Sequence, residues 1–208
     1  MPRYSPIGYS PIAPDALVRL CADRALRLPG RAIVVVDGAP PAHPDSLAAD
    51  VADTIRTAGR AADVVRVDDF IRPASTRLEW GPHDTESYLT SWYDYPALRR
   101  EVVDALHDHG RWLPRLWDSR RDRSFRDQMR SATEDQILVI SGPMTLRPIL
   151  APDLSIALRM GRATLDRLMP PDLTWTIEPL LEFAEHAPTP TIEVRYDHPG
   201  RPAIAERV

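Results

Sequence analysis

Three short stretches set carboxylates or hydroxyls directly after apolar, β-branched runs. Asp37-Gly38 follows Ala32-Ile33-Val34-Val35-Val36, Asp68-Asp69-Phe70 follows Val64-Val65-Arg66-Val67, and Ser141-Gly142 follows Ile137-Leu138-Val139-Ile140. In open α/β sheets ligands bind beyond the carboxyl ends of the strands, so these positions are where chemistry is to be sought. A carboxylate held at a strand end suits proton transfer to or from a bound hydroxyl. A second grouping is cationic: Arg111, Arg115, Arg120, Arg121, Arg123, Arg126 and Arg130, beside Trp112 and Trp117. Guanidinium groups bind phosphate and stack on bases, which suits an anion or RNA site. Asp118, Asp122 and Asp127 interleave with them, so a solvated, salt-bridged surface is the other reading.

Several chemistries are excluded or disfavoured. All 26 basic residues are arginine, so no step can use a lysine ammonium. Cys21 is the only cysteine, which rules out an internal disulfide and a thiolate metal cluster, and its apolar neighbours Leu20 and Ala22 suggest a buried core residue. His107 and His109 are two apart and do not share a helical face, while the other histidines are scattered, so no metal site is expected. A net charge of −4 gives no general attraction for nucleic acid or anionic membranes. No apolar run approaches the ~18 residues of a membrane span, and the amino terminus lacks a signal-peptide core, so a cytoplasmic protein is expected.

The elements that must position these residues alternate in type. Residues 1–13 hold three prolines and read as a loose arm, leaving 14–208 as a single domain. Leu17, Leu20, Cys21, Ala25 and Leu28 recur at helical intervals, predicting a helix over 15–28 capped by Asp15. The run at 32–36 suits a strand buried on both faces. A proline-laden loop at 39–44 leads into a helix over about 45–58, and a strand is expected near 63–67. The stretch 86–109 reads as mostly helical. Further strands are expected at 137–140, 154–158 and 191–196, with helices at about 163–168 and 177–186. Strands alternating with helices predict an α/β fold with a mostly parallel sheet.

Three segments together resemble the uridine kinase family of P-loop nucleoside kinases, whose fold is phosphoribulokinase-like. They are Val65-Arg66-Val67-Asp68-Asp69-Phe70-Ile71-Arg72-Pro73, Trp92-Tyr93-Asp94-Tyr95-Pro96-Ala97-Leu98-Arg99-Arg100 and Leu113-Pro114-Arg115-Leu116-Trp117-Asp118. The resemblance spans roughly residues 30–205 and is nearest to a divergent, actinobacterial-type branch with an altered phosphate loop. It implies a three-layer α/β/α fold around a five-stranded, mostly parallel sheet. It also implies phosphoryl transfer from ATP with magnesium to a nucleoside 5′-hydroxyl. Residue by residue, it makes Asp68 the general base, with capping of the next turn as the alternative. It gives Asp94 the ribose hydroxyls, with the cap of a helix near Pro96 as the alternative. Tyr93 and Trp117 would line the substrate pocket, Trp117 either stacking on a base or packing in the core. Arg167 would reach the transferring phosphate from a lid. Ile71 stands where the family has tyrosine, so the resemblance leaves the identity of the nucleoside open.

The donor side departs from the pattern. A working phosphate loop has the form G-x-x-x-x-G-K-[ST], with backbone N–H groups around the phosphates and a lysine on the β and γ groups. Here the stretch reads Gly38-Ala39-Pro40-Pro41-Ala42-His43-Pro44-Asp45-Ser46. Three prolines have no N–H to offer. His43 replaces the second glycine, or Pro44 does if the loop is one residue longer; Pro44 or Asp45 replaces the lysine, and in the longer loop Ser46 can stand for the Ser/Thr. Asp45 adds negative charge or caps the following helix. Ser141 occupies the place of a magnesium-holding carboxylate, for which a neutral hydroxyl is a poor substitute. The expectation is weak or absent kinase activity, the alternative being a non-catalytic nucleoside- or nucleotide-binding protein or an Arg-faced scaffold. A homo-oligomer is compatible with all of these.

Overall fold

The computed structural model describes residues 8–206, so most of the expected amino-terminal arm lies outside the described residues. In chain order the elements are β1 (Ser10–Pro11), α1 (Pro14–Leu26), β2 (Ala32–Gly38), α2 (Pro44–Thr57), β3 (Ala62–Arg66), α3 (Ala74–Arg77), α4 (Thr85–Thr90), α5 (Tyr95–Leu98), α6 (Ala105–His109), β4 (Arg111–Trp112), β5 (Trp117–Asp118), β6 (Arg123–Ser124), β7 (Arg130–Ser131), β8 (Ile137–Gly142), β9 (Leu154–Arg159), α7 (Arg162–Leu168), α8 (Ile177–His186), β10 (Ile192–Arg195) and β11 (Ala203–Glu206).

The central sheet has the order β1-β11-β10-β9-β2-β8-β3. Its five parallel strands, β3, β8, β2, β9 and β10, are the five expected from apolar runs. Two antiparallel strands extend one edge: β11 on β10, and β1 on β11. The sheet is therefore larger than expected. The extra strands are short, β1 contains Pro11, and Pro14 and Pro202 lie close to them, so that they read in sequence as turn or arm. Within the expected arm, Ser10 and Pro11 are thus paired with Ile204 and Ala203.

Every residue of β2 and β8 is buried, because helices cover a parallel sheet and leave its central strands no solvent face. Helix α2 packs on β2, β3 and β8, presenting Leu47, Ala48, Val51, Ala52 and Ile55 at helical spacing. Each large member of that stripe contributes roughly 1.5–3 kcal/mol by leaving water. Helix α1 packs on α2 and buries Leu17, Cys21, Ala22 and Ala25. Its cap is Ala13, with no side-chain bond. Asp15 lies within the first turn and pairs with Arg19 at 2.8 Å, so the expected Asp15 cap is corrected. Pro14 fixes the helical φ at the first position, which starts the helix before Asp15 can flank it.

Two glycines set how closely the strand ends approach their neighbours. Gly142, at the end of β8, has φ +133°, and a Cβ there would lie 2.3 Å from Val67 Cγ1. Only glycine lets β8 end directly against the turn that follows β3. Gly38, at the end of β2, is hemmed by Leu158 Cβ at 3.1 Å from where its own Cβ would be.

Candidate functional site

Beyond the carboxyl ends of β2, β3 and β8 lies a cleft of about 980 Å³. The loop after β2 contributes His43, the first turn of α2 contributes Asp45 and Ser46, and the segment after β3 contributes Asp68, Asp69 and Ile71. Tyr88, Trp92 and Tyr93 form an aromatic wall, and the β5–β6 hairpin adds Trp117, Asp118, Arg120 and Arg121. A smaller groove of about 580 Å³ between α1 and α2 contains no strand-end carboxylate, so the chemistry points to the larger cleft.

The loop after β2 is turned in on itself. Residues Pro40–Ala42 make one 3₁₀ turn, and His43 follows in the left-handed region at φ 49°. Ala42 N–H donates to Ala39 O at 2.8 Å, His43 N–H to Pro40 O at 3.0 Å, and Ser46 N–H to His43 O at 3.0 Å. Pro40, Pro41 and Pro44 have no N–H. His43 thus keeps a glycine-favoring backbone conformation, which histidine tolerates better than most residues at a modest cost.

Asp45 does not cap α2, which corrects that expectation. The cap position is His43, because Pro44 opens the helix. Asp45 points across to the sheet instead. The buried Ser141 hydroxyl donates to Asp45 Oδ1 at 2.5 Å, and Arg66 Nε lies 3.3 Å from Asp45 Oδ2. Negative charge therefore sits beside the end of β8, balanced by the arginine that closes β3.

Asp68 and Asp69 belong to a 3₁₀ turn over Val67–Phe70, and neither side chain caps it. Asp68 is an exposed residue that lines the cleft. Desolvation by the surrounding cleft walls raises its pKa above the ordinary aspartate value, and Asp45 raises it further, against opposition from Arg66 and the Tyr93 hydroxyl. Asp69 is raised by burial too, with Arg66 and Arg115 opposing. Tyr93 is buried, and burial lifts its hydroxyl well above the ordinary tyrosine value, with the negative environment of Asp68 contributing. Tyr88, raised by burial in the same way, lies against Tyr93 and Trp92 with ring centroids 6.2 and 5.2 Å away. Trp117 is half-buried, and its Nε1 donates to Asp122 Oδ1 at 3.0 Å.

The remaining expected residues lie elsewhere. Asp94 Oδ1 accepts from Ala97 N–H at 3.0 Å, capping α5, and stands 3.9 Å from Arg72 Nη2, outside the cleft lining. Gly38 lines a small cavity with Asp37, Met144 and Arg159. Arg167 is exposed on α7 and does not reach the cleft. Of the arginine run, Arg115 pairs with Asp127 at 2.8 Å, Arg130 with Asp63 at 3.2 Å and Arg121 loosely with Asp118 at 3.9 Å. Arg66, Tyr88, Trp92, Arg120 and Arg121 line the cleft without having been singled out as site residues. Arg120 and Arg121 were visible only as members of a run whose spacing does not reveal which of them faces inward. Among the described residues, no group of three or more His, Cys, Asp and Glu is arranged to hold a metal ion. Nor is any helix among them long and apolar enough to cross a membrane.

No protein-family model and no curated protein sequence matches this chain. Solved structures do. One, from Bacillus stearothermophilus and described as a possible uridine kinase, is 17% identical with a TM-score of 0.66, over 82% of this chain and 91% of that one. Another, from Silicibacter sp. TM1040 and described as a candidate fructose transport system kinase, is 21% identical with a TM-score of 0.65, over 86% of this chain and 97% of that one. At these identities the likeness is one of fold: a central, mostly parallel sheet with flanking helices, as in P-loop kinases.

Proposed function

We propose that this chain, with residues 14–208 acting as one uridine-kinase-like domain, binds a nucleoside-class ligand in the Asp68 cleft and has lost efficient phosphoryl transfer from ATP. The observation that carries this reading is the closed loop over residues 39–46 together with the Ser141–Asp45 hydrogen bond. A triphosphate needs outward N–H groups and a cation. Here three residues lack the N–H, three other amides are engaged within the loop, and Pro44 or Asp45 stands in the place of the lysine. Magnesium fares no better, since Ser141 is neutral and its hydroxyl is committed to Asp45. ATP and magnesium do not fit this donor side. Electrostatic clamps of this kind are worth about 3 kcal/mol or more each, so losing several leaves turnover very slow.

The acceptor side retains what a hydroxyl-rich aromatic ligand needs. Among the described residues no backbone N–H donates to the Asp68 or Asp69 carboxylate, and Tyr88, Trp92 and Trp117 offer ring faces and edges to a base. Asp68 takes the part of hydroxyl acceptor, and as a raised carboxylate it is suited to share a proton with a ligand hydroxyl. Asp94 holds the α5 start that supports Tyr93 and Tyr95, acting on the pocket from behind.

Thermal-shift titrations separate the readings. Uridine or another nucleoside is expected to raise the melting temperature, and ATP with magnesium is expected to leave it unchanged. A magnesium-dependent ATP shift accompanied by nucleoside monophosphate product would overturn the proposal.

A further inference from the structure

Resting on the reading of the cleft as a ligand site, we propose that the β5–β6 hairpin carries an anion-binding subsite, so that the cleft takes a polyol or nucleoside already bearing a phosphate or carboxylate. The turn between β5 and β6 places Arg120 and Arg121 in the lining of the cleft. Its backbone is held at both ends. Asp118 Oδ1 accepts the Arg120 and Arg121 N–H groups at 3.0 and 3.2 Å. Asp122 Oδ1 accepts both Trp117 Nε1 at 3.0 Å and the Ala74 N–H at 2.8 Å, tying the far side of the turn to the start of α3. The two arginines are therefore presented from a fixed loop, and less ordering entropy is lost when they engage a ligand.

Their charge is not used up inside the protein. Arg120 has no acidic partner among the described residues, and Arg121 meets Asp118 only at 3.9 Å, with a 70% exposed side chain. Asp118 is occupied by the backbone of the turn. At the strand-end part of the cleft the balance is reversed: Asp45 is satisfied by Ser141 and Arg66, while Asp68 and Asp69 accept no backbone bond among the described residues. The cleft is bipolar. An anionic group is repelled by the strand-end carboxylates and drawn to the hairpin, where guanidinium forks match phosphate or carboxylate oxygens. Ligand hydroxyls are left for Asp68 and Asp69. The subsite is independent of the loop over residues 39–46 and needs no nucleoside triphosphate.

Isothermal titration of the full chain with uridine, uridine 5′-monophosphate, glucuronate and inorganic phosphate tests this. The monophosphate is expected to bind at least about tenfold more tightly than uridine, a preference of the size a charge-assisted pair supplies. That preference is expected to shrink as salt rises and to vanish in the Arg120→Ser/Arg121→Ser double variant, with uridine affinity unchanged. Arg123→Ser, on the same hairpin but outside the cleft lining, is expected to keep it. Glucuronate binding without monophosphate preference would identify the anion as a carboxylate and support the subsite. Uridine binding equal to or tighter than both anionic ligands, or an anion preference that survives the double variant, overturns the subsite and leaves the cleft reading intact. If no probe binds, both fall. Should the double variant unfold, Arg120→Gln and the salt dependence of the unmodified protein decide the same question.

Discussion

The Ser141 hydroxyl donates a 2.5 Å hydrogen bond to the Asp45 carboxylate, joining the end of β8 to the first turn of α2. In the proposed reading Asp45 stands beside the place where a phosphate loop carries its lysine, and the neutral Ser141 where the fold carries a metal-holding carboxylate. Ser141 is fully buried, so its hydroxyl depends on that acceptor. Asp45→Ala is expected to destabilise the protein by about 1–2 kcal/mol, the cost of a buried hydroxyl left without its partner plus a lost charge-assisted bond. Urea denaturation measures this. A midpoint unchanged within error would mean the bond carries no stability.

The same pair makes a point about repair. Asp45→Lys alone is expected not to restore ATP binding, because the prolines still withhold their N–H groups. A nucleotide titration of this variant that shows saturable, magnesium-dependent binding would show that charge, not the loop backbone, is the barrier.

Gly142 sits at φ +133° with Val67 filling the space where a side chain would go. Gly142→Ala is expected to cost at least about 1–3 kcal/mol from backbone strain, before the clash is added. It should also loosen the Asp68 turn and weaken ligand binding. Gly59→Ala, also at positive φ but with open space around it, serves as the comparison and is expected to show the strain without the clash. Equal melting temperatures for the two variants would remove the argument from close approach.

Much of the fold was legible because its central strands are unusually plain. Ala32-Ile33-Val34-Val35-Val36 and Ile137-Leu138-Val139-Ile140 can hardly be other than strands covered on both faces. The start of α8 at Ile177 and the capping alternative for Asp94 were also readable, since both depend on neighbours in sequence. The antiparallel edge was not: two residues beside prolines carry no periodicity. Nor was the role of Asp45, which depends on Ser141 from a strand 96 positions away. Local rules offered a helix cap, but Pro44 moved the helix start and freed the carboxylate for a long-range partner. The arginine run failed for a similar reason, as only tertiary structure divides Arg115 and Arg130, which face acids, from Arg120, which faces the cleft.

His43 holds a left-handed conformation that favours glycine. His43→Gly is expected to be neutral or mildly stabilising, whereas His43→Val, β-branched and intolerant of positive φ, is expected to cost about 1–3 kcal/mol. Differential scanning calorimetry on the pair tests whether the loop retains its glycine-like turn. A valine variant as stable as the glycine one would show that the turn relaxes.

Asp68 and Asp69 both have pKa values raised in the folded protein, chiefly by burial, with Asp45 adding to the effect on Asp68. A raised folded value means the folded state holds its proton more tightly than the unfolded chain does, so these groups favour folding most when protonated. Their contribution is fully present below the ordinary aspartate pKa of about 3.9 and is lost as pH rises through the raised folded values. Asp68→Asn removes one share of that loss, so its stability should fall less than the parent's across that range and should exceed the parent's at neutral pH. The ligand responds in the opposite sense, because an amide is a weaker acceptor for a ligand hydroxyl and nucleoside affinity drops. Chemical denaturation from pH 3 to 8, paired with a nucleoside titration at pH 7, reads both. A variant that is no more stable than the parent at pH 7, or that binds nucleoside just as tightly, would mean that the Asp68 carboxylate is freely solvated and is not the hydroxyl acceptor of the cleft.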